Sequence, residues 1–219
     1  MFLGDADPAH DGVFVGRCRG DPGTTGVGHD VAGPARRVGR FRRLRAPKTE
    51  ALAAYDRIIG LDLSEVALDG SLHKAPCGGE GTGANPTDRA KLGGKWSVAV
   101  DAQGIPLGWA IDGANRNDLK LLEPTLHAVA RVGLLADVDT VHLDRGYDYP
   151  KVRAQLATLG LDGPDIQRRK KPGQVRATRP LRLGLRWRVE GTNSWLSNYG
   201  QLRRNTDRRD AHRHAQLCL

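Results

Sequence analysis

Three carboxylates, Asp69, Asp144 and Glu190, are the residues of this sequence best suited to do chemistry together. Asp69 comes after an apolar stretch that begins at Ser64, and Asp144 comes after a similar stretch that begins at Asp139. Short apolar runs that give way to turn residues are typical of buried strands. Each aspartate is therefore predicted at the end of a strand.

The third carboxylate belongs to a segment with helical spacing. Between residues 185 and 199, apolar or small residues recur every three or four positions, and they are Leu185, Val189, Thr192, Leu196 and Tyr199. This period predicts a helix with one packed face. Glu190 falls in a polar row beside that face, so two strand-end carboxylates and one helical carboxylate can converge.

Three convergent carboxylates favour metal-assisted phosphoryl transfer. Mg²⁺ takes oxygen ligands and is usually held by one or two carboxylates together with substrate phosphate oxygens. Two such ions activate the attacking oxygen and stabilise the leaving oxygen of an in-line displacement. The sequence thus predicts that Asp69, Asp144 and Glu190 are both catalytic residues and ligands of Mg²⁺ or Mn²⁺.

Each acid also has a simpler interpretation when it is taken alone. An aspartate near a glycine at a strand end is often a turn former. A glutamate on a helix is usually solvated. Only the order of the three acids, and the basic sequence around them, favours the catalytic interpretation.

The positive charge of the chain is concentrated in its last third. The formal net charge is +9, and from Tyr149 onward sixteen Lys or Arg face five Asp or Glu, a local balance of +11. Such a balance suits binding to the phosphates of nucleic acid, although a solvated basic surface is the alternative. The densest run is Arg168, Arg169, Lys170 and Lys171, which is predicted to be an exposed loop that contacts a DNA backbone.

Length and composition predict one catalytic domain. The chain has 219 residues, enough for a single domain with a sizeable core. Residues 1–40 are rich in Gly, Asp, Pro and Arg without an apolar period, and we expect them to be disordered. Residues 41–219 are expected to form the domain. Since no membrane-length apolar run or signal pattern occurs, a cytoplasmic, nucleoid-associated protein is expected.

The order of the predicted elements indicates an α/β fold of the ribonuclease H-like class, a mixed sheet flanked by helices. After the strand of Asp69 comes a Gly-rich loop, and then a hairpin formed by residues 95–101 and 105–111. A helix follows at residues 118–132, capped by Asn117 or Asp118. The strand of Asp144, a helix at residues 149–159, a short strand at residues 165–167 and the helix of Glu190 complete the order.

Five segments resemble transposases of the IS5 family of insertion sequences. The resemblance runs from about Phe41 to the end of the chain, and the segments that carry it are Ala67–Pro76, Asn85–Arg89, Asp101–Leu107, His142–Asp148 and Arg186–Glu190. It implies a DDE transposase, in which Asp69, Asp144 and Glu190 are the triad that cuts DNA at transposon ends and joins the freed 3′ hydroxyl to target DNA. The implied partners are end DNA and target DNA, and homo-oligomerisation is left open.

The resemblance also implies DNA contacts around the triad. Arg186 fills the family's arginine position four residues before Glu190 and would clamp a phosphate. Leu183 and Ser197 stand where the family has a tyrosine and a lysine. Arg203 or Arg204 could substitute for these contacts.

Members of the IS5 family usually begin with a helical DNA-binding segment, which the composition of residues 1–40 does not predict. Three interpretations follow. The chain is a working DDE transposase, or an inactive DNA-binding remnant that represses transposition, or a nuclease on the same fold. Metal-dependent cleavage and strand transfer distinguish them.

Overall fold

One mixed sheet organises the protein and carries the candidate site. The structure, a computed structural model, describes residues 47–166 and 185–218. The strands are β1 Glu65–Lys74, β2 Gly83–Ala84, β3 Leu92–Val100, β4 Pro106–Gly113, β5 Thr140–Leu143 and β6 Asp165–Ile166.

Within the described residues, six helices accompany the sheet. They are α1 at residues 47–58, α2 Leu119–Ala130, α3 Pro150–Thr158, α4 Arg186–Asn198, α5 Gly200–Arg203 and α6 Asp210–Gln216. Short 3-10 turns lie at Leu135–Asp137 and Arg145–Tyr147, on either side of β5.

The central strand is β1. It pairs antiparallel with β3 on one edge and parallel with β5 on the other, and β6 extends the sheet in parallel beyond β5. On the far side, β3 pairs with β4 along most of its length and with β2 at its start. The mixed sheet flanked by helices confirms the predicted fold class.

Helices cover both faces of the sheet because the strands alternate apolar residues toward each face. Val66 and Leu68 of β1 pack with α2 and α3 in the larger core cluster. Ala67 packs on the other face with Val189 of α4 and Leu202 of α5. Asp69, two residues after Ala67, lies on the same face as α4.

The predicted element order is confirmed, but one strand boundary is wrong. Asp69 was expected at the end of its strand, whereas β1 continues for five more residues to Lys74. The reason is the antiparallel partner β3, which pairs with β1 as far as Lys74. The Gly-rich segment expected to be a loop supplies the start of β3 and the short strand β2.

Helix α1 was not predicted, although Leu52 packs into the larger core cluster. The predicted disorder of residues 1–40, the basic run Arg168, Arg169, Lys170 and Lys171, and Leu183 lie outside the described residues. Among the helices that the structure describes, none is long and apolar enough to cross a membrane.

His73 of β1 is a buried histidine that makes the fold sensitive to acid. Its ring stacks on Trp96 with ring centroids 4.2 Å apart, and the residue is 6% exposed. Burial, helped by the charge of Arg213, lowers the pKa of His73 from its ordinary 6.5 to about 4. The unfolded chain therefore binds more protons between these two values, and stability present above pH 6.5 is lost as the pH falls toward 4.

A His73→Phe variant should keep the ring stacking and lose this pH dependence. Because His73 stays neutral in the folded protein, the free energy of unfolding should be about 2 kcal/mol lower at pH 5 than at pH 7.5. Each pKa unit corresponds to about 1.4 kcal/mol. Urea unfolding at both pH values measures the difference. We expect the stability of the variant to fall by about 2 kcal/mol less than that of the unmodified protein, and an equal fall in both proteins would contradict the assignment.

Candidate active site

Asp69 and Asp144 lie side by side where the parallel pairing of β1 and β5 ends. The last paired residues are Ala67 of β1 and His142 of β5. Each aspartate follows its paired residue by two positions, so the two carboxylates sit at the same level of the sheet. The structure thus brings together the two strand acids that the sequence predicted.

Burial makes Asp69 an unusual carboxylate. Its Oδ1 accepts a hydrogen bond of 2.8 Å from the backbone N–H of Gly70. Burial, together with the charges of Asp144 and Asp118, raises the pKa of Asp69 to about 6, against the opposing effects of the Gly70 N–H and Arg186. Ionisation of Asp69 is therefore unfavourable in the free protein, and a bound cation would favour the ionised carboxylate.

Asp144 is fixed by the turn that follows it. It is the N-cap residue of the 3-10 turn Arg145–Tyr147, and its carboxylate accepts a hydrogen bond from the backbone N–H of Arg145. Its side chain is 41% exposed. The second strand acid is thus hydrogen-bonded to the turn and remains accessible to a ligand.

Helix α4 brings Glu190 and Arg186 to the same place. Arg186 Nη1 lies 3.5 Å from Asp144 Oδ1, and Arg186 Nη2 lies 3.2 Å from Glu190 Oε1. Arg186 therefore connects the second and third predicted carboxylates. The side chain of Glu190 is 57% exposed, so it is free to rotate away from this arginine.

Two buried hydrogen bonds dock α4 on the sheet. The Asn193 side-chain oxygen accepts from Trp96 Nε1 at 3.0 Å, and Thr192 Oγ1 donates to the carbonyl of Gly104 at 2.7 Å. Asn193 belongs to the same polar row of α4 as Glu190, and it is buried because the indole N–H of Trp96 requires a buried acceptor. These bonds fix the position of Glu190 and Arg186 relative to the strand acids.

The donor set fits a hard divalent cation only in part. Asp69 and Asp144 offer carboxylate oxygens at one level of the sheet, and such oxygens are the ligands that Mg²⁺ prefers. Within residues 47–166 and 185–218, no three His, Cys, Asp or Glu side chains are grouped closely enough to hold an ion. Glu190 is instead paired with Arg186.

A fourth carboxylate, Asp118, was missed as a site residue. It was predicted only as a helix cap, but its side chain makes no cap hydrogen bond and pairs with the buried Lys95 at 3.0 Å. A Cβ on Gly70 would lie 2.5 Å from Asp118 Oδ1, so the Asp118 carboxylate lies close to the backbone of the residue that follows Asp69. Only the pairing of β1 with β3 brings Lys95 there, which no local pattern reveals.

Tyr147 is a second residue that was not predicted to belong to the site. It is 2% exposed, and its hydroxyl has no hydrogen-bond partner within the described part of the chain. Burial raises the pKa of Tyr147, and the charges of Asp118, Asp69 and Asp144 add to that rise. The phenol therefore stays protonated close to three carboxylates.

Replacing Tyr147 with Phe should not destabilise the metal-free protein. Loss of a buried hydroxyl without a partner removes a desolvation cost, so the free energy of unfolding should stay equal or rise by about 1 kcal/mol. Urea unfolding in the presence of a chelator measures it. A decrease larger than about 1 kcal/mol would show that the hydroxyl is hydrogen-bonded in the folded protein.

The predicted DNA-contact residues that the structure describes lie in two places. Arg186 lies in the site itself, as described above. Arg203 and Arg204 are exposed at the end of α5 and line a groove beside Lys74. This groove is separate from the pair of strand acids.

A comparison with known protein families identifies the family of the chain. The model of the transposase DDE domain matches residues 60–219, which include Asp69, Asp144 and Glu190. The chain belongs to the transposase DDE domain family. This DDE domain implies dependence on a divalent metal in general.

Two known proteins are similar to this chain. The "Putative transposase for insertion sequence element IS402" of Burkholderia cepacia is 38% identical over 134 residues, 58% of this chain. The matched part spans 60% of the length of that relative. A solved structure, "Mos1 transposase paired-end complex with left transposon end", is 14% identical with a TM-score of 0.31, covering 71% of this chain and 46% of the other.

Proposed function

We propose that this chain is the transposase of an insertion sequence of the IS5 type, which cleaves DNA at the ends of its element and joins them to target DNA. Asp69, Asp144 and Glu190 are its catalytic carboxylates. The observation that carries the proposal is the alignment of Asp69 with Asp144 at one level of the sheet, with Arg186 of α4 beside them. Family membership and the relative named for IS402 support it.

The negative charge of the site requires bound cations before DNA can approach the catalytic carboxylates. Asp69, Asp144, Asp118 and Glu190 would repel a phosphate, so the site needs cations before a polyanion can enter. Divalent cations bound by these carboxylates would supply that charge, activate the attacking oxygen and stabilise the leaving oxygen. Asp69 and Asp144 would hold them.

Besides the divalent cations, the site contains a positively charged side chain of the protein, Arg186. In the free protein it contacts Asp144 and Glu190 at 3.5 and 3.2 Å. A DNA phosphate offers a guanidinium two acceptor oxygens, which makes it a strong competing partner. When DNA binds, Arg186 would exchange Glu190 for the scissile phosphate, and Glu190 would then be free to join the other two carboxylates.

Cleavage and strand transfer together test this proposal. Purified protein is incubated with a labelled duplex that carries the terminal repeat flanking its gene, a supercoiled target plasmid, and Mg²⁺ or Mn²⁺. The proposed function predicts a nick that frees a 3′ hydroxyl, followed by joined products of higher mass.

The other outcomes identify the alternatives. Cleavage without joining would indicate a nuclease, because water alone would then serve as the nucleophile. Salt-sensitive binding without cleavage would indicate an inactive DNA-binding protein. Either result would refute the proposed transposase activity.

A further inference from the structure

A basic groove lies beyond the candidate active site, at the far end of β1. Its basic lining consists of Lys74, Lys91, Arg203 and Arg204, and its volume is about 850 Å³. We call this feature the basic groove. Neither the family match nor the similar proteins named above assign it a role.

One strand, β1, carries both Asp69 of the candidate active site and Lys74 of the basic groove. β1 pairs with β5 only as far as Ala67, although β1 itself continues to Lys74. Beyond that point, the residues that the structure describes form one isolated bridge with β1, between Lys74 and Arg204. Asp69 and Lys74 are five residues apart on one strand, which corresponds to about 17 Å.

The charge of the groove is poorly neutralised. Asp88 is its carboxylate, and it lies 4.0 Å from Lys74 Nζ and 3.9 Å from Lys91 Nζ. The two lysine side chains are 66% and 65% exposed. Four cations thus face one acid, and exposed pairs at these distances contribute little to stability.

Apolar side chains form part of the same surface. Leu72 is 36% exposed and Leu92 is 47% exposed, and both line the groove together with its cations. A DNA backbone presents phosphates for the cations and deoxyribose carbons for the leucines. A small anion would use only the charges.

We propose that the basic groove binds the sugar-phosphate backbone of DNA about five base pairs away from the bond that is cleaved at Asp69 and Asp144. The spacing follows from the 17 Å path along β1 and the rise of about 3.4 Å per base pair. This inference rests on the proposed function, because it takes the cleavage site as its origin. The groove would thereby set the register of the duplex at the catalytic carboxylates.

A double variant, Lys74→Gln with Lys91→Gln, tests the proposal. The matched control is Arg57→Gln with Lys151→Gln, which removes the same charge from exposed positions on α1 and α3. Binding to end-containing duplexes is measured by fluorescence anisotropy with Ca²⁺ in place of Mg²⁺, because Ca²⁺ also takes carboxylate and phosphate oxygens as ligands, between 50 and 200 mM salt. The duplexes are shortened in steps from about 15 to 2 base pairs, on each side of the cleavage point in turn.

On the longest duplex the groove variant should bind at least about tenfold more weakly than the control at 100 mM salt. The slope of log Kd against log salt should fall by about two, one for each lost phosphate contact. On one side of the cleavage point, trimming below about five base pairs should make the two variants equal. Circular dichroism melting verifies that both variants are folded.

Equal affinity and equal salt slopes on every duplex would overturn the groove proposal. A loss of affinity that persists whichever side of the cleavage point is trimmed would also overturn it, because the lysines would then act near the cleaved bond. The proposed function is judged separately, by whether the unmodified protein cleaves and joins the same long duplex.

Discussion

Replacing Asp144 with Asn should reduce the rate of DNA end cleavage by at least about a thousandfold. The substitution keeps the shape of the side chain but removes the charge that faces Arg186 and, in the proposed reaction, a divalent cation. A loss of about 4 kcal/mol of transition-state stabilisation corresponds to this factor. Single-turnover cleavage of a labelled end duplex in Mg²⁺ measures the rate.

The affinity of Asp144→Asn for the same duplex should change by less than about threefold, since the residue makes no phosphate contact of its own. Asp139→Asn is the matched control, because Asp139 is exposed just before the first residue of β5 and undergoes the same change in charge. Asp69→Asn and Glu190→Gln should resemble Asp144→Asn. Cleavage by Asp144→Asn at the unmodified rate would remove this residue from the catalytic set.

Replacing Arg213 with Met should lower the free energy of unfolding by about 3 kcal/mol or more. Arg213 is 1% exposed, and its guanidinium donates to the carbonyls of Gly78, Glu80 and Asp207 at distances between 2.6 and 3.1 Å. It ties α6 to the segment between β1 and β2. Methionine fills similar volume but leaves these carbonyls without a donor, and each unsatisfied group costs about 1–3 kcal/mol.

Urea unfolding at pH 7.5 measures the loss. Arg209→Met is the matched control, because Arg209 is exposed just before the first residue of α6. We expect the control to unfold at nearly the unmodified midpoint. If Arg213→Met also did so, the hydrogen bonds of Arg213 would not stabilise the fold.

The strand acids could be predicted because their signal is local. Short apolar runs before Asp69 and Asp144 predict buried strands, and apolar residues at helical spacing predict the helix that carries Glu190. The end of the first strand was predicted wrongly because the length of β1 depends on β3, a partner that begins 18 residues after β1 ends. Pairing between strands extends an element beyond its own apolar pattern.

The contacts between distant residues could not be predicted in this way. Lys95 meets Asp118, and Trp96 meets Asn193, only because the sheet and its helices bring them together. Local patterns also give no sign that the hydroxyl of Tyr147 would be buried near three carboxylates. The ion pair of Arg186 with Asp144 also depends on how α4 packs on the sheet, so the sequence alone could not predict it. The position of Arg186 on the helix, four residues before Glu190, was predicted.

The residues that hold the metal can be tested most directly by crystallography with Mn²⁺. Crystals of the protein with an end duplex are grown with Mn²⁺, and anomalous difference density locates the ion. We expect a peak about 2.0–2.2 Å from carboxylate oxygens of Asp69 and Asp144, with Arg186 turned from Glu190 to a DNA phosphate. An ion bound elsewhere on the protein, with these two aspartates free of metal, would contradict the proposed active site.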